Sequence, residues 1–114
     1  MHIIKLNAID STSTFLRQLS GEKKLENYTV VVASSQSKGR GQMGTSWSSN
    51  PGENLMASVF VDVSFLAIHY SFWISMVTSL AISKTLKELY INNVKVKWPN
   101  DILADQKKIS GILI

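Results

Sequence analysis

Four polar clusters in this chain carry side chains suited to chemistry on small anionic groups. In Gly39-Arg40-Gly41-Gln42-Met43-Gly44, two glycines flank an arginine. Glycines let the backbone approach a ligand closely and turn N–H groups toward anionic oxygens, while a guanidinium offers a bidentate fork to phosphate or carboxylate. Neither a P-loop nor a dinucleotide fingerprint fits, because no Gly-Lys-Ser/Thr follows and the glycine spacing differs. In Lys97-Trp98-Pro99-Asn100-Asp101, a lysine, an aromatic–proline step and two polar side chains stand at one strand end, a common place for ligands. Lys107-Lys108-Ile109-Ser110-Gly111-Ile112 adds two more cations, and Asp10-Ser11-Thr12 adds hydroxyls at a helix start. Each cluster also has a plain structural reading: a flexible glycine loop, a polar turn, a solvated lysine pair and a helix cap. Only their conjunction points to a site.

The elements that position these clusters follow from hydrophobic periodicity. Residues 2–9 alternate as a strand, and a short helix follows with Phe15, Leu16 and Leu19 on one face, ending in the polar loop 20–24. Residues 28–33 are β-branched and apolar, which predicts a central strand buried on both faces. Residues 34–52 contain four glycines and a proline, with Met43 and Trp47 the only large apolar groups. Such a stretch builds no core and is either disordered or functional. Residues 54–63 read as a strand with Leu55, Ala57, Val59, Val61 and Val63 on one side and Met56 and Phe60 on the other. Residues 67–90 read as a helix that buries Ile82, Leu86 and Leu89 and turns Ser83, Lys84, Lys87 and Glu88 away. His69, Phe72, Trp73 and Met76 belong to its packing. A strand over 94–98, a halt at 99–101, a strand over 102–104 and a hairpin turn at 105–107 lead into a last strand over 108–114.

Composition narrows the function classes. The 114 residues carry 12 Lys+Arg against 8 Asp+Glu, with 45% hydrophobic residues and no cysteine, enough for one domain and one core. Without cysteine there is no disulfide framework and no thiolate metal site, and His2 and His69 alone cannot supply three ligands, so no protein metal site is expected. A cytoplasmic setting is expected. The net charge of +4 is scattered along the chain, which favours a small anionic ligand over a nucleic-acid track. Residues 65–83 form 19 positions without formal charge, long enough to cross a bilayer, but their serines, threonine and histidine identify a buried core helix. No membrane partner is expected.

Taken in order, Asp10-Ser11-Thr12, the glycine cluster with Trp47, Lys97-Trp98-Pro99-Asn100-Asp101, and Lys108-Ile109-Ser110-Gly111-Ile112 resemble the catalytic domain of the biotin–protein ligases. The resemblance spans nearly the whole chain and about the first half of that catalytic domain. It implies an α/β (α+β) fold, a mixed β-sheet flanked by helices, related to the class II aminoacyl-tRNA synthetases and the lipoate ligases. It also implies a two-step reaction. The biotin carboxylate attacks the α-phosphate of ATP, giving biotinyl-5′-adenylate and pyrophosphate, with Mg²⁺ on the triphosphate. A lysine on the biotin carboxyl carrier domain of a carboxylase then takes the biotinyl group.

Under this resemblance Arg40, Lys108 and Lys97 are the cations that hold two anions together, and Asp101 orients or deprotonates the acceptor lysine. Ser11, Thr12, Gln36, Gly39, Arg40, Gly41, Trp47, Lys108 and Gly111 surround biotin. Arg40, Gln42, Met43, Gly44, Trp47 and Asn100 lie toward ATP. Two positions depart from the family pattern. Gln42 and Met43 stand where further basic residues are frequent, so the adenylate should be held less tightly. Ser13 replaces an asparagine often found there. Competing readings are a lipoate–protein ligase-like adenylating enzyme and a biotin-binding fragment without turnover. Because the pattern begins about ten residues from Met1, no DNA-binding domain is expected. The apolar end at Ile112-Leu113-Ile114 points to a chain lacking the rest of the catalytic domain and the small C-terminal β domain, with pairing to a second copy or poor solubility as a consequence.

Overall fold

Thr29, Val31 and Ala33 alternate with Val30 and Val32, and in the computed structural model of residues 1–114 the first set is buried and the second half-buried. This strand, β2 (Thr29–Gln36), is the centre of a three-stranded sheet. β1 (His2–Ile9) pairs with it in parallel, from His2 opposite Thr29 to Ile9 opposite Gln36. β3 (Met56–Phe60) pairs with it antiparallel, with Met56 opposite Ala33 and Ser58 opposite Val31. Parallel neighbours need a crossover, and α1 (Thr12–Glu22) provides it, packing on β2 and β3 through buried Leu16 and half-buried Phe15 and Leu19. The helix runs through Ser20 and Gly21, which sequence assigned to a loop. A Gln18–Glu22 side-chain hydrogen bond at 3.0 Å spans that last turn.

Two expectations for this region are corrected. β3 is shorter than 54–63, and its covered side carries Met56, Ser58 and Phe60, while Leu55, Val59 and Val61 are exposed. Both faces of the segment are apolar, so alternation could not choose between them; pairing opposite the buried face of β2 does. The glycine-rich stretch is not a featureless loop either. Residues 34–36 extend β2, and residues 39–47 form a small hairpin.

Met1–Val63 forms one compact unit and Ser64–Ile114 a second. In the second, a 3₁₀ turn over Ile68–Tyr70 leads into α2 (Ser71–Glu88), followed by the meander β4 (Val94–Lys97), β5 (Asp101–Ala104) and β6 (Lys107–Gly111). Asp105 and Gln106 both have positive φ, 48° and 65°, the geometry of a two-residue hairpin turn. Val94, Ile102 and Ile112 are the core of this unit, with Ile82, Leu86 and Ile91 packed against them.

The buried stripe of α2 includes Ile82 and Leu86 as expected but departs from the expected one at Leu89 and at two serines. Ser79 and Ser83 are buried while Leu89 is 65% exposed. Trp73, Met76, Val77 and Leu80 are exposed, so this is a one-sided helix and not one buried all round. No helix is long and apolar enough to cross a membrane. β6 stops at Gly111, short of the expected 114, although Ile112 beyond it is buried.

Candidate functional site

In the first unit the site is built where β1 and β2 end side by side and α1 begins. Ser11, in extended backbone (φ −158°), is the helix N-cap; its Oγ accepts from the Thr14 N–H at 3.4 Å and lies 3.0 Å from Ser13 Oγ. The next free N–H of the helix, on Thr12, donates to Gln36 Oε1 at 2.7 Å. Thr12 Oγ1 lies 2.8 Å from Ser58 Oγ. Ser11 and Thr12 are almost fully buried. A side chain at the end of one strand thus caps a helix that starts at the end of its neighbour, with a hydroxyl of the third strand completing the group. Beyond the strand ends, Lys38 N–H donates to Asp10 O at 2.8 Å and Ser37 Oγ to Asp10 Oδ1 at 3.2 Å, so Asp10 anchors the exit of β2.

The glycine cluster continues from this point as a hairpin. Trp47 N–H donates to Gly39 O (2.9 Å), Arg40 and Ser46 bridge, and Gly41 N–H donates to Thr45 O (2.7 Å). Its tip is the 3₁₀ turn Gln42–Gly44, where Met43 and Gly44 take positive φ of 54° and 76°. Gly39 is required by close approach: a Cβ there would lie 2.3 Å from Trp47 O and 3.2 Å from Gln36 Nε2. Gly39 is buried, Gly41, Gln42 and Trp47 half-buried, and Arg40 exposed. Met43, at the tip, is fully exposed.

The second unit holds the other polar cluster. Lys97 pairs with Asp101 across β4 and β5, and Asp101 with Gly111 across β5 and β6, so the three share one row. Lys108 Nζ forms an ion pair with Asp101 Oδ1 at 2.9 Å, with the Asp101 side chain 19% exposed and that of Lys108 43%. Across the open end of the ribbon, Asn100 Nδ2 donates to Ile112 O at 2.8 Å and Ile112 N–H donates to Asn100 O at 2.9 Å. One of its two amide N–H groups is therefore engaged in holding the strand end, leaving the other N–H and Oδ1 to meet a ligand. Trp98, 76% exposed, stacks at a tilt on Phe72 with ring centroids 6.1 Å apart. No three His, Asp or Glu side chains are grouped to hold a metal ion.

Of the residues expected from sequence, Ser11, Thr12, Gln36, Gly39, Arg40, Gly41 and Trp47 are joined through one network or its attached hairpin. Lys97, Asn100, Asp101, Lys108 and Gly111 assemble in the second unit. Sequence reading missed Ser58, a lone serine in an apolar strand, and the ion pairing of Asp101 with Lys108. The alternation of Met56, Ser58 and Phe60 was visible, but only the β2–β3 register shows which neighbours the hydroxyl meets.

This mixed α/β architecture, with a buried hydroxyl–amide group beside a glycine hairpin, is shared with biotin protein ligases of known structure. The biotin/lipoate A/B protein ligase family model matches residues 6–114, and the chain belongs to that family. It is 34% identical over 109 residues to the bifunctional ligase/repressor BirA of Escherichia coli K12, covering 96% of this chain and 33% of the relative. It is 32% identical over 87 residues to the biotin–[acetyl-CoA-carboxylase] ligase of Mycobacterium tuberculosis, covering 74% of this chain and 33% of that protein. The crystal structure of the Leishmania major biotin protein ligase in complex with biotinyl-5-AMP superposes with a TM-score of 0.82 at 29% identity, covering 98% of this chain and 51% of that one. The chain spans about a third of the length of these curated relatives.

Proposed function

We propose that the protein acts in ATP-dependent biotinylation, activating the biotin carboxylate as biotinyl-5′-adenylate and passing the biotinyl group to a carrier-domain lysine of a carboxylase. The observation that carries this reading is the network of Ser11, Thr12 and Gln36 beside Gly39, in a chain the ligase family model matches over 6–114. Buried hydroxyls and an amide suit the ureido ring, a flat group with one carbonyl acceptor and two N–H donors. The Leishmania relative's complex with biotinyl-5-AMP supports the adenylate, and the Mycobacterium relative's name supports the carboxylase as acceptor.

In the first step a carboxylate oxygen bonds to the α-phosphorus as the bond to pyrophosphate breaks. Arg40 and Lys108, with Lys97, supply positive charge for this step, and Gly39, Gly41 and Gly44 give the hairpin the backbone freedom to close over the anion. The same reading assigns Gln42, Met43 and Asn100 to nucleotide binding and Trp47 to an apolar wall of the pocket. In the second step the lysine amine attacks the acyl carbon and AMP leaves. Asp101, held by Lys108, is the carboxylate that orients or deprotonates that amine. Mg²⁺ would enter with the triphosphate of the nucleotide substrate. A cytoplasmic location fits a cysteine-free chain acting on a metabolic enzyme. The exposed apolar row of α2 favours pairing of two copies.

Calorimetric titration with biotin, then with biotin and Mg-ATP, beside acceptor labelling, tests the proposal. Biotin binding that tightens with ATP, and labelling of the acceptor, are expected. Competition by lipoate in place of biotin would favour the lipoate–protein ligase-like alternative, and biotin binding without adenylate would leave a binding fragment.

A further inference from the structure

We infer that Ser58 is a positioning residue for biotin selectivity, acting through Thr12; the inference rests on the functional reading above. On the covered side of β3, Met56 faces Ala33, Ser58 faces Val31 and Phe60 faces Thr29, and all three β2 partners are at most 3% exposed. Packing alone would accept alanine or valine in that row. The hydroxyl is instead met by Thr12 Oγ1 at 2.8 Å.

Thr12 has little freedom of its own. Its N–H is committed to Gln36 Oε1 at 2.7 Å, and it sits at the first turn of α1 behind the Ser11 cap, which holds its Oγ1 in place. Two paired hydroxyls share one hydrogen bond, so one donates and the other keeps a proton to offer elsewhere. When Ser58 donates to Thr12, the proton of Thr12 is directed at a ligand acceptor, and the two bonds polarise each other in the same sense. When the direction reverses, Thr12 offers only lone pairs. With Ser58 in place Thr12 meets the ligand in one of these two paired states, and a ligand acceptor selects the donor state; without Ser58 the Thr12 hydroxyl rotates freely. The ligand group that matches the donor state is a carbonyl oxygen, as in the ureido ring.

The test is calorimetric titration of the wild type, Ser58→Ala, Ser58→Cys, Thr12→Val and the Thr12→Val/Ser58→Ala double variant. The two ligands are biotin and 2-iminobiotin, which carries N–H where biotin carries the ureido oxygen. Thermal unfolding is measured alongside. Ser58→Ala should weaken biotin about five-fold, as expected for one net hydrogen bond. It should change 2-iminobiotin less than two-fold, so that the preference for biotin narrows. Ser58→Cys, which keeps the shape of the side chain with a slightly larger and weaker donor, should behave alike, and in the Thr12→Val background Ser58→Ala should have no further effect. Equal weakening of both ligands, or additive losses in the double variant, would show a merely structural hydroxyl and overturn the assignment. A wild type that binds no biotin would overturn the functional reading and this inference with it. A wild type that binds biotin beside a Ser58→Ala variant that binds it equally well would overturn the inference alone.

Discussion

Replacing Gly39 by alanine should open the glycine hairpin locally, and the structure sets the size of the effect. The added Cβ would stand 2.3 Å from Trp47 O, where a real Cβ needs at least 3.0 Å, so the two arms must separate by at least 3.0 − 2.3 = 0.7 Å. The Trp47 N–H to Gly39 O bond, now 2.9 Å, would lengthen to about 3.6 Å and cease to be a hydrogen bond. One lost bond together with overpacking against the Gln36 amide, 3.2 Å away, costs about 2 kcal/mol, or roughly a 30-fold shift toward the opened hairpin. Amide hydrogen exchange at Gly41 and Trp47 reads this directly. Gly21→Ala is the control. Nothing lies within 4 Å of its Cβ and the residue sits inside α1, so it should stabilise the protein by about 0.5–1 kcal/mol and leave the hairpin amides unchanged. If Gly39→Ala left exchange at Gly41 and Trp47 at wild-type rates, the close-approach argument for the hairpin would be wrong.

Three further outcomes are expected. Asn100→Ala removes the donor that holds Ile112 O and should lower stability by about 1–2 kcal/mol, seen as a lower urea midpoint at unchanged slope. Asp101→Asn should reduce acceptor biotinylation about a hundred-fold, the scale of a lost general base; labelling at the wild-type rate would remove Asp101 from that role. Gln42→Arg/Met43→Arg should slow release of biotinyl-adenylate measured in rapid filtration, since two cations are added at the hairpin tip; an already slow release in the parent would contradict the charge argument.

Periodicity and turn chemistry made most elements legible. β1, the start of α1, β2 and the β5–β6 hairpin follow from alternation, a serine cap and a polar turn, because each of these signals acts within a few residues. The glycine cluster stood out in the sequence as a candidate site, but its hairpin did not, since the hydrogen bonds depend on Gly39 and Trp47 lying opposite each other. The errors share a physical origin. β3 has apolar residues on both faces, so only its register on β2 reveals that Met56, Ser58 and Phe60 are covered. α2 buries Ser79 and Ser83 and leaves Trp73, Val77 and Leu80 in the open, so counting apolar positions found Ile82 and Leu86 but misplaced Leu89 and missed the serines.

By itself the sequence determined the inventory of chemistry: hydroxyls at a helix start, an arginine between glycines, and lysine, asparagine and aspartate at strand ends. It also determined which local conformations those residues favour. Tertiary structure decided the partners. Thr12 meets Gln36 at a separation of 24 residues and Ser58 at 46, and Asp101 meets Lys108 across a bulged strand pair. Hydrogen-bond direction and ion pairing act over about three ångströms, and no local pattern along a chain encodes which distant side chains come within that range.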